Sequence, residues 1–186
     1  MIEARLAAER TLAAPGFTAF RVVGLEPLTT SAALDRAALV YAADLACYPR
    51  PLQVSWAKLL YLCAGFPQGV RLYLGEFGGV WHPVGYAAWH PIAPGLLSSP
   101  WPAVVPISHL PTSAAYLYNY SVIPALVGSP TARSLMQALH REVEGIPVLV
   151  ADTVSEHGRR AAIRWGMTLR ERREREGAPW ELWARG

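Results

Sequence analysis

The stretch LYNYSVIPALVGSPTARSLMQAL, Leu117 to Leu139, changes its periodicity once, and that change constrains the fold more than any other feature of the chain. Tyr118 and Tyr120 alternate with Asn119 and Ser121, the two-residue period of a strand. Beyond Pro124 the pattern becomes helical: Leu135, Met136, Leu139 and Val143 form one apolar stripe, while Arg133, Gln137 and Arg141 face water. Between them lies the small-residue loop Val127, Gly128, Ser129 and Pro130, with Ser129 placed as a cap and Pro130 at the first helical position. A helix N-terminus carries free backbone N–H groups and a partial positive charge, so this junction is either an anion site, with pyrophosphate its usual occupant, or only a helix cap.

The rest of the chain is consistent with that unit. An N-terminal helical extension is expected over 1–16, then a strand in TAFRVVGLEPL. SAALDRAALVYAADLACYP reads as a helix with Ser31 as its cap and Leu34, Leu39 and Leu45 on the apolar side. Prolines 49 and 51 end it. VSWAKLLYLCAG is a second helix, and GVRLYLGEF and VGYAAWHPI are strands joined through the turn-prone GGVWHP. Residues 91–112, rich in Pro, Gly and Ser, form a long loop of the kind that carries function when it is ordered. After SAAYLYNYSVIP and the helix ended by Gly145 come the strand IPVLVADTV, the helix SEHGRRAAIRWG and the strands MTLRERRE and PWELWAR. This mixed order, with a strand-helix-strand unit in its second half, predicts a single α/β domain over 1–186, one twisted sheet covered by helices on both faces.

Composition excludes several classes. With 52% hydrophobic and 17% charged residues, the 186-residue chain is far from disordered. Lys58 is its sole lysine, so the net charge of +3 rests on arginine, the residue that grips phosphate or carboxylate bidentately. The arginines of the C-terminal third are interleaved with Glu171, Glu174 and Glu176, which argues against a nucleic-acid track and favours a local phosphate contact. Cys47 and Cys63 lack the spacing of metal ligands or of a disulfide scaffold, so buried thiols and no metal are expected. With no apolar span of bilayer length and no basic start followed by an apolar run, a cytoplasmic protein without a membrane span is expected.

Neither the Gly-Lys-Ser/Thr of nucleotide-triphosphate loops nor Gly-x-Gly-x-x-Gly is present. The chain instead resembles the GNAT superfamily of acyl-CoA-dependent N-acyltransferases. LYNYSVIP stands for that family's strand ending in Val-x-Pro, VLVADTVSEHGRRAAIRWGMTLRER for its following strand, helix and closing Gly-Phe, with Gly166 and Met167 at that pair, and ADLACYPRPLQVSWAKLL is similar to the acceptor-side helices of ribosomal-protein alanine N-acetyltransferases. The resemblance implies a mostly antiparallel sheet and acyl-CoA as co-substrate. It places Ser121 and Val122 along pantetheine, Gly128, Ser129, Thr131, Ala132 and Arg133 at the phosphates, and Ser155 where relatives carry an Asn that contacts pantetheine. The family loop Gln/Arg-x-x-Gly-x-Gly/Ala falls on Val127 to Ala132, so its Arg is Val127, its middle Gly is Pro130, and only Ala132 conforms. Pro130 removes one N–H from the loop. Arg159 or Arg160 is a further candidate near the nucleotide phosphate.

Acyl transfer from a thioester to an amine needs an uncharged nucleophile, a stabilised oxyanion and a proton for the leaving thiolate. The family's tyrosine acid would fall on Ala162 and the carboxylate base of some relatives on Val150, so neither carries over. His90, which titrates near neutral pH, is the leading candidate base, with His109 a rival if the loop folds inward. Tyr116, Tyr118 and Tyr120 share one strand face, either as packed sheet surface or with Tyr118 or Tyr120 as proton donor. Asp152 ends the following strand, and His157 is a first-turn helix residue. The leading reading is an N-acyltransferase acting on a primary amine of a peptide, protein or small molecule. Two alternatives stay open: fatty-acyl transfer from CoA or an acyl carrier protein to a Lys- or Orn-like side chain, suggested by the tryptophan-rich flanks, and a non-catalytic acyl-CoA-binding module.

Overall fold

The computed structural model describes residues 16–91, 114–153, 155–175 and 178–186. The expected N-terminal helix and, beyond Pro91, the 91–112 loop with His109 lie outside the described residues, as does the side chain of Asp152. The strands are β1 (Ala19–Gly24), β2 (Val70–Phe77), β3 (Val80–Pro91), β4 (Ala114–Val122), β5 (Val148–Thr153), β6 (Thr168–Arg175) and β7 (Ala178–Arg185). The α-helices are α1 (Ser31–Cys47), α2 (Trp56–Gly65), α3 (Pro130–Val143) and α4 (Glu156–Arg164). The strands hydrogen-bond in the order β1-β2-β3-β4-β5-β7-β6. The ladders β1/β2, β2/β3, β5/β7 and β6/β7 are antiparallel, and β4/β5 is parallel because α3 carries the chain back between them. The fold is thus a mixed α/β sheet, mostly antiparallel, as the sequence pattern and the resemblance together imply.

The chain divides into two compact units, one made of residues up to Ala88 with Asn119–Ala138, the other of Trp89–Tyr118 with Leu139–Gly186. The core of the first holds Leu59, Leu62, Val70, Leu72, Tyr73, Tyr86 and Ile123, all nearly inaccessible to water. Helix α1 buries Ala33, Ala37, Val40, Ala43 and Asp44, while Leu34 is 47% exposed. Its inward stripe is therefore alanine and valine, where the spacing of Leu34, Leu39 and Leu45 had suggested leucine. Small side chains let a helix axis lie close to its neighbours, and here that brings a carboxyl, Asp44, into the core. The helix is capped by Thr30, whose Oγ1 accepts from Ala33 N at 3.2 Å, so the capping residue is one earlier than Ser31. Ser55 caps α2 by accepting from the backbone N–H of Lys58, whose side chain is half-buried.

Strands β2 and β3 meet at Gly78-Gly79, both with positive φ (58° and 78°), the backbone that a tight two-residue hairpin turn needs. The expected GGVWHP loop is therefore only its first two residues, and Val80, Trp81, His82 and Pro83 belong to β3. Pro83 is tolerated within the strand because the ladder shifts register there: Tyr73 pairs with Gly85 and Leu74 with Pro83, leaving Val84 as the extra residue of a bulge. Val84 O instead accepts from Ile123 N at 2.8 Å, which ties the bulge to the end of β4.

In the second unit Ala114, Val150 and Leu182 form a buried cluster with Tyr116, Val148 and Ala184 against it. Arg185 donates to Val143 O at 3.1 Å, which also accepts from Ile146 N, and to Trp165 O at 3.4 Å, so one guanidinium meets the C-terminal ends of both α3 and α4. No described helix is long and apolar enough to cross a membrane.

Candidate functional site

Strand β4 delivers the first group of candidate residues. Its parallel ladder with β5 pairs Ala114 to Leu117 with Val148 to Ala151, and Tyr118–Val122 lies beyond that ladder. Burial alternates as the two-residue period requires: Leu117, Asn119 and Ser121 are buried, while Tyr116, Tyr118 and Tyr120 are half-buried. The Tyr120 hydroxyl donates to Ala132 O at 2.6 Å, and its ring meets Tyr73 edge-on at 6.3 Å. Burial pushes its pKa up to about 12. Tyr120 therefore holds the first turn of α3 to the strand.

From Val122 the chain passes through a short turn at Pro124–Leu126 and through Gly128, whose φ is +80°, into α3. Pro130 opens the helix and Ser129 caps it, its Oγ accepting from Ala132 N at 3.1 Å. Ser129 N bonds to Leu126 O at 3.0 Å and Arg133 N to Ser129 O at 3.2 Å. Of the five donors expected for phosphate, the backbone N–H groups of Ser129, Ala132 and Arg133 are thus committed internally, and those of Gly128 and Thr131 make no such bond among the described residues. The exposed Arg133 side chain adds a cation beside them. These groups fit an anion, with fewer donors than a glycine-rich loop offers.

In the second unit His90 is 7% exposed, its Nδ1 lies 3.0 Å from Pro91 O, and its ring packs on Tyr116 at 5.5 Å. Burial lowers its pKa, the carbonyl contact opposing that effect, so the ring is neutral at physiological pH. An Nδ1–H donated to Pro91 O makes Nε2 the basic nitrogen. Ser155 caps α4 by accepting from Gly158 N at 3.1 Å. Val150 and Ala162 are 1% and 4% exposed and carry no ionisable group where the resemblance has the base and acid. Arg159 is held bidentately by Glu181, with Nη2–Oε1 2.8 Å and Nε–Oε2 2.9 Å, and also meets Glu156, as does Arg160. Glu181 also accepts from Arg172. Arg159, weighed as a phosphate contact, is committed to that pair.

A cluster that the sequence reading did not assemble lies in the first unit, where the end of α1 meets the Asn119 and Ser121 face of β4. The Tyr48 hydroxyl donates to Asn119 Oδ1, and Asn119 Nδ2 donates to Ser121 Oγ at 3.0 Å. Ser121 also hydrogen-bonds with Cys47 and lies within reach of the Tyr48 hydroxyl. Burial pushes Cys47 up to about 12 and raises Tyr48 as well, so both are neutral. Asp44, fully buried, accepts from Tyr86 OH at 2.7 Å and Val54 N at 2.9 Å. Its pKa is raised by desolvation, which those two bonds oppose. The signal for this cluster was an acid on an alanine face, four residues before Tyr48, together with two polar side chains on the inward face of a strand.

No group of three or more His, Cys, Asp or Glu among the described residues could hold a metal ion. No protein-family model and no curated protein matches the sequence. Solved structures do match the fold. The loading GNATL domain of CurA from Lyngbya majuscula aligns over 90% of this chain and 97% of its own, with a TM-score of 0.64 and 15% identity. The GphF GNAT-like decarboxylase, solved in complex with isobutyryl-CoA, aligns over 89% and 98%, with a TM-score of 0.60 and 19% identity. The ribosomal-protein-S18-alanine N-acetyltransferase of Escherichia coli aligns over 89% and 92%, with a TM-score of 0.58 and 13% identity. With the strand order, the parallel β4/β5 pair and the β4-turn-α3 junction, these likenesses show that the chain has the GNAT fold in a divergent form.

Proposed function

We propose that the chain is an acyltransferase that moves an acyl group from acyl-CoA to a primary amine of a peptide, protein or small molecule. The observation that carries this reading is the β4/β5 ladder of four residue pairs, with Tyr118–Val122 continuing β4 beyond it and leading into the capped start of α3. Pantetheine is an extended chain with two amides, so it can run beside a strand as a further strand does. Ser121 and Val122 would carry it, and the N–H groups of Gly128 and Thr131 with the Arg133 guanidinium would meet the pyrophosphate. Because Pro130 and the internal bonds of the loop reduce the donors there, more of the grip falls on pantetheine and the acyl chain.

In this reading His90, neutral and basic at Nε2, removes the proton that the attacking amine sheds, and Tyr118 protonates the departing thiolate. Proximity and orientation supply much of the rate. The test is calorimetric binding of CoA against pantetheine, followed by turnover of an amine panel with acetyl-CoA, octanoyl-CoA and an octanoylated carrier protein. Acyl-amine product supports the reading, and the donor series fixes chain length and carrier. CoA binding with no acylated amine overturns it in favour of a binding module.

A second reading retains the CoA thioester and dispenses with the amine. It is favoured by the buried, non-ionisable Val150 and Ala162 at the two proton-transfer positions, and a GNAT-like decarboxylase is among the proteins of similar fold. Conversion of malonyl-CoA to acetyl-CoA without any amine would establish it.

A further inference from the structure

Strand β1 stands at one end of the strand order, so one of its two edges has no neighbour among the described strands. The direction of each backbone group on it follows from the ladder with β2. Leu25 N bonds to Val70 O at 3.4 Å, continuing the register that pairs Gly24 with Arg71. Residues that exchange hydrogen bonds alternate along an antiparallel ladder, so Ala19, Arg21, Val23 and Leu25 turn theirs to β2. Phe20, Val22 and Gly24 therefore turn their N–H and C=O groups outward. Such an edge is a template for another strand unless something guards it, and the customary guards are missing. Phe20 to Gly24 hold neither proline nor lysine, and the ladder keeps one register along them, with no bulge to twist the edge away. The one charge, Arg21, is turned inward across β2: its guanidinium lies 4.3 Å from the centre of the Trp81 ring on β3. Val22, at the middle, is 43% exposed.

These five residues are complementary to themselves. Outward groups find partners only where Phe20, Val22 and Gly24 of one copy face the same three residues of another. Setting Val22 opposite Val22 brings Phe20 opposite Gly24 and Arg21 opposite Val23, so every outward group is paired and each aromatic ring lies beside a residue without a side chain. A shift to the neighbouring register in one direction sets Arg21 against Arg21, and like charges directly opposite are destabilising. A shift in the other direction carries Phe20 past the end of β1.

We propose that β1 is an association surface whose partner is a second copy of this chain, the two β1 strands pairing antiparallel about Val22. The paired edge is short, which suits a weak, reversible dimer, half-associated near about 100 µM. The surface is independent of the acyl-CoA reading above and stands or falls without it.

The experiment follows the full chain by sedimentation from about 5 µM to about 500 µM, where the wild type should pass from monomer toward dimer. Val22→Lys sets two ammonium groups face to face at the centre and is expected to abolish association while the circular dichroism stays that of the wild type. Val80→Lys, at a residue 56% exposed but off this edge, is expected to leave association unchanged, which separates strand pairing from general apolar contact. Amide hydrogen exchange on the wild type reads the register directly. The N–H groups of Phe20, Val22 and Gly24 should exchange about tenfold more slowly at the higher concentration, and those of Arg21 and Val23 should change little. A chain that stays monomeric throughout, or a Val22→Lys variant that associates like the wild type, overturns the proposal. Protection of the three amides that is the same at every concentration also overturns it, since the edge is then covered by a segment of its own chain.

Discussion

Single side chains in this protein are decided by who shares their hydrogen bonds. His90 is kept neutral by burial, so a rate that depends on it should hold at its maximum at neutral pH and fall only where the ring gains its proton, below the ordinary histidine range. In His90→Gln that acid limb should disappear from the pH profile of kcat/KM together with most of the rate. Gly85 should be equally intolerant for a steric reason: Gly85→Ala drives a methyl into Ser121 O and is expected to cost about 1–3 kcal/mol in denaturant unfolding. The sequence made part of this legible. Ser129, Pro130 and Tyr120 stand where the pattern put them, because caps, proline and strand alternation are local rules. The partners of Asn119 and Ser121 were not legible: Tyr48 lies 71 residues from Asn119 along the chain, and the Asp44 carboxyl reaches Tyr86 across 42. Only the fold brings such pairs together.

At the level of elements, the start of α3 offers the sharpest experiment. Ser129→Ala removes the cap on Ala132 N and is expected to cost about 1 kcal/mol of stability, with little change in how pantetheine binds. Pro130→Ala returns an N–H to the first turn. If the pyrophosphate sits there, calorimetry should show CoA binding several-fold tighter while pantetheine binding stays the same. Helix α1 shows why element existence was easier to read than element orientation. Its helical character follows from a run of good helix formers, but which face it buries is set by the elements it packs on, and they take Ala33, Ala37, Val40 and Ala43 and leave Leu34 in water. Once the alanine stripe is buried, Asp44 must be inside with it. The hairpin at Gly78-Gly79 was blurred for a similar reason: Pro83 looks like a loop residue until the bulge at Val84 gives it a place.

For the whole molecule, each compact unit contains one buried carboxyl among the described residues, Asp44 in the first and Glu181 in the second, and the two respond to pH with opposite sign. Glu181 is held below the usual carboxylate range first by the Arg159 hydrogen bonds, then by the charges of Arg159 and Arg172, against the penalty of its burial. Its contribution is present above the unfolded-state pKa and is lost as pH falls through the lowered folded value. Asp44 is raised by burial, so the native state holds its proton more tightly than the unfolded chain; its contribution is full at low pH and is lost as pH rises through the folded value. Thermal melts across about pH 2 to about pH 8 should show Glu181→Gln losing the acid-side decline and Asp44→Asn losing the decline on the other side. Asn suits the second site, since its carbonyl can accept from Val54 N while its amide donates to the Tyr86 oxygen.

If the chain handles acyl-CoA as proposed, its lone lysine, Lys58, half-buried in the first turn of α2, has a practical meaning. Thioesters slowly label the ε-amines of whatever protein holds them. Here every ε-amine event converges on one residue, so a single peptide mass reports it and Lys58→Arg erases it, leaving only the α-amine of the chain to be followed separately. The molecule thus has a nearly silent background against which an acylated partner can be seen.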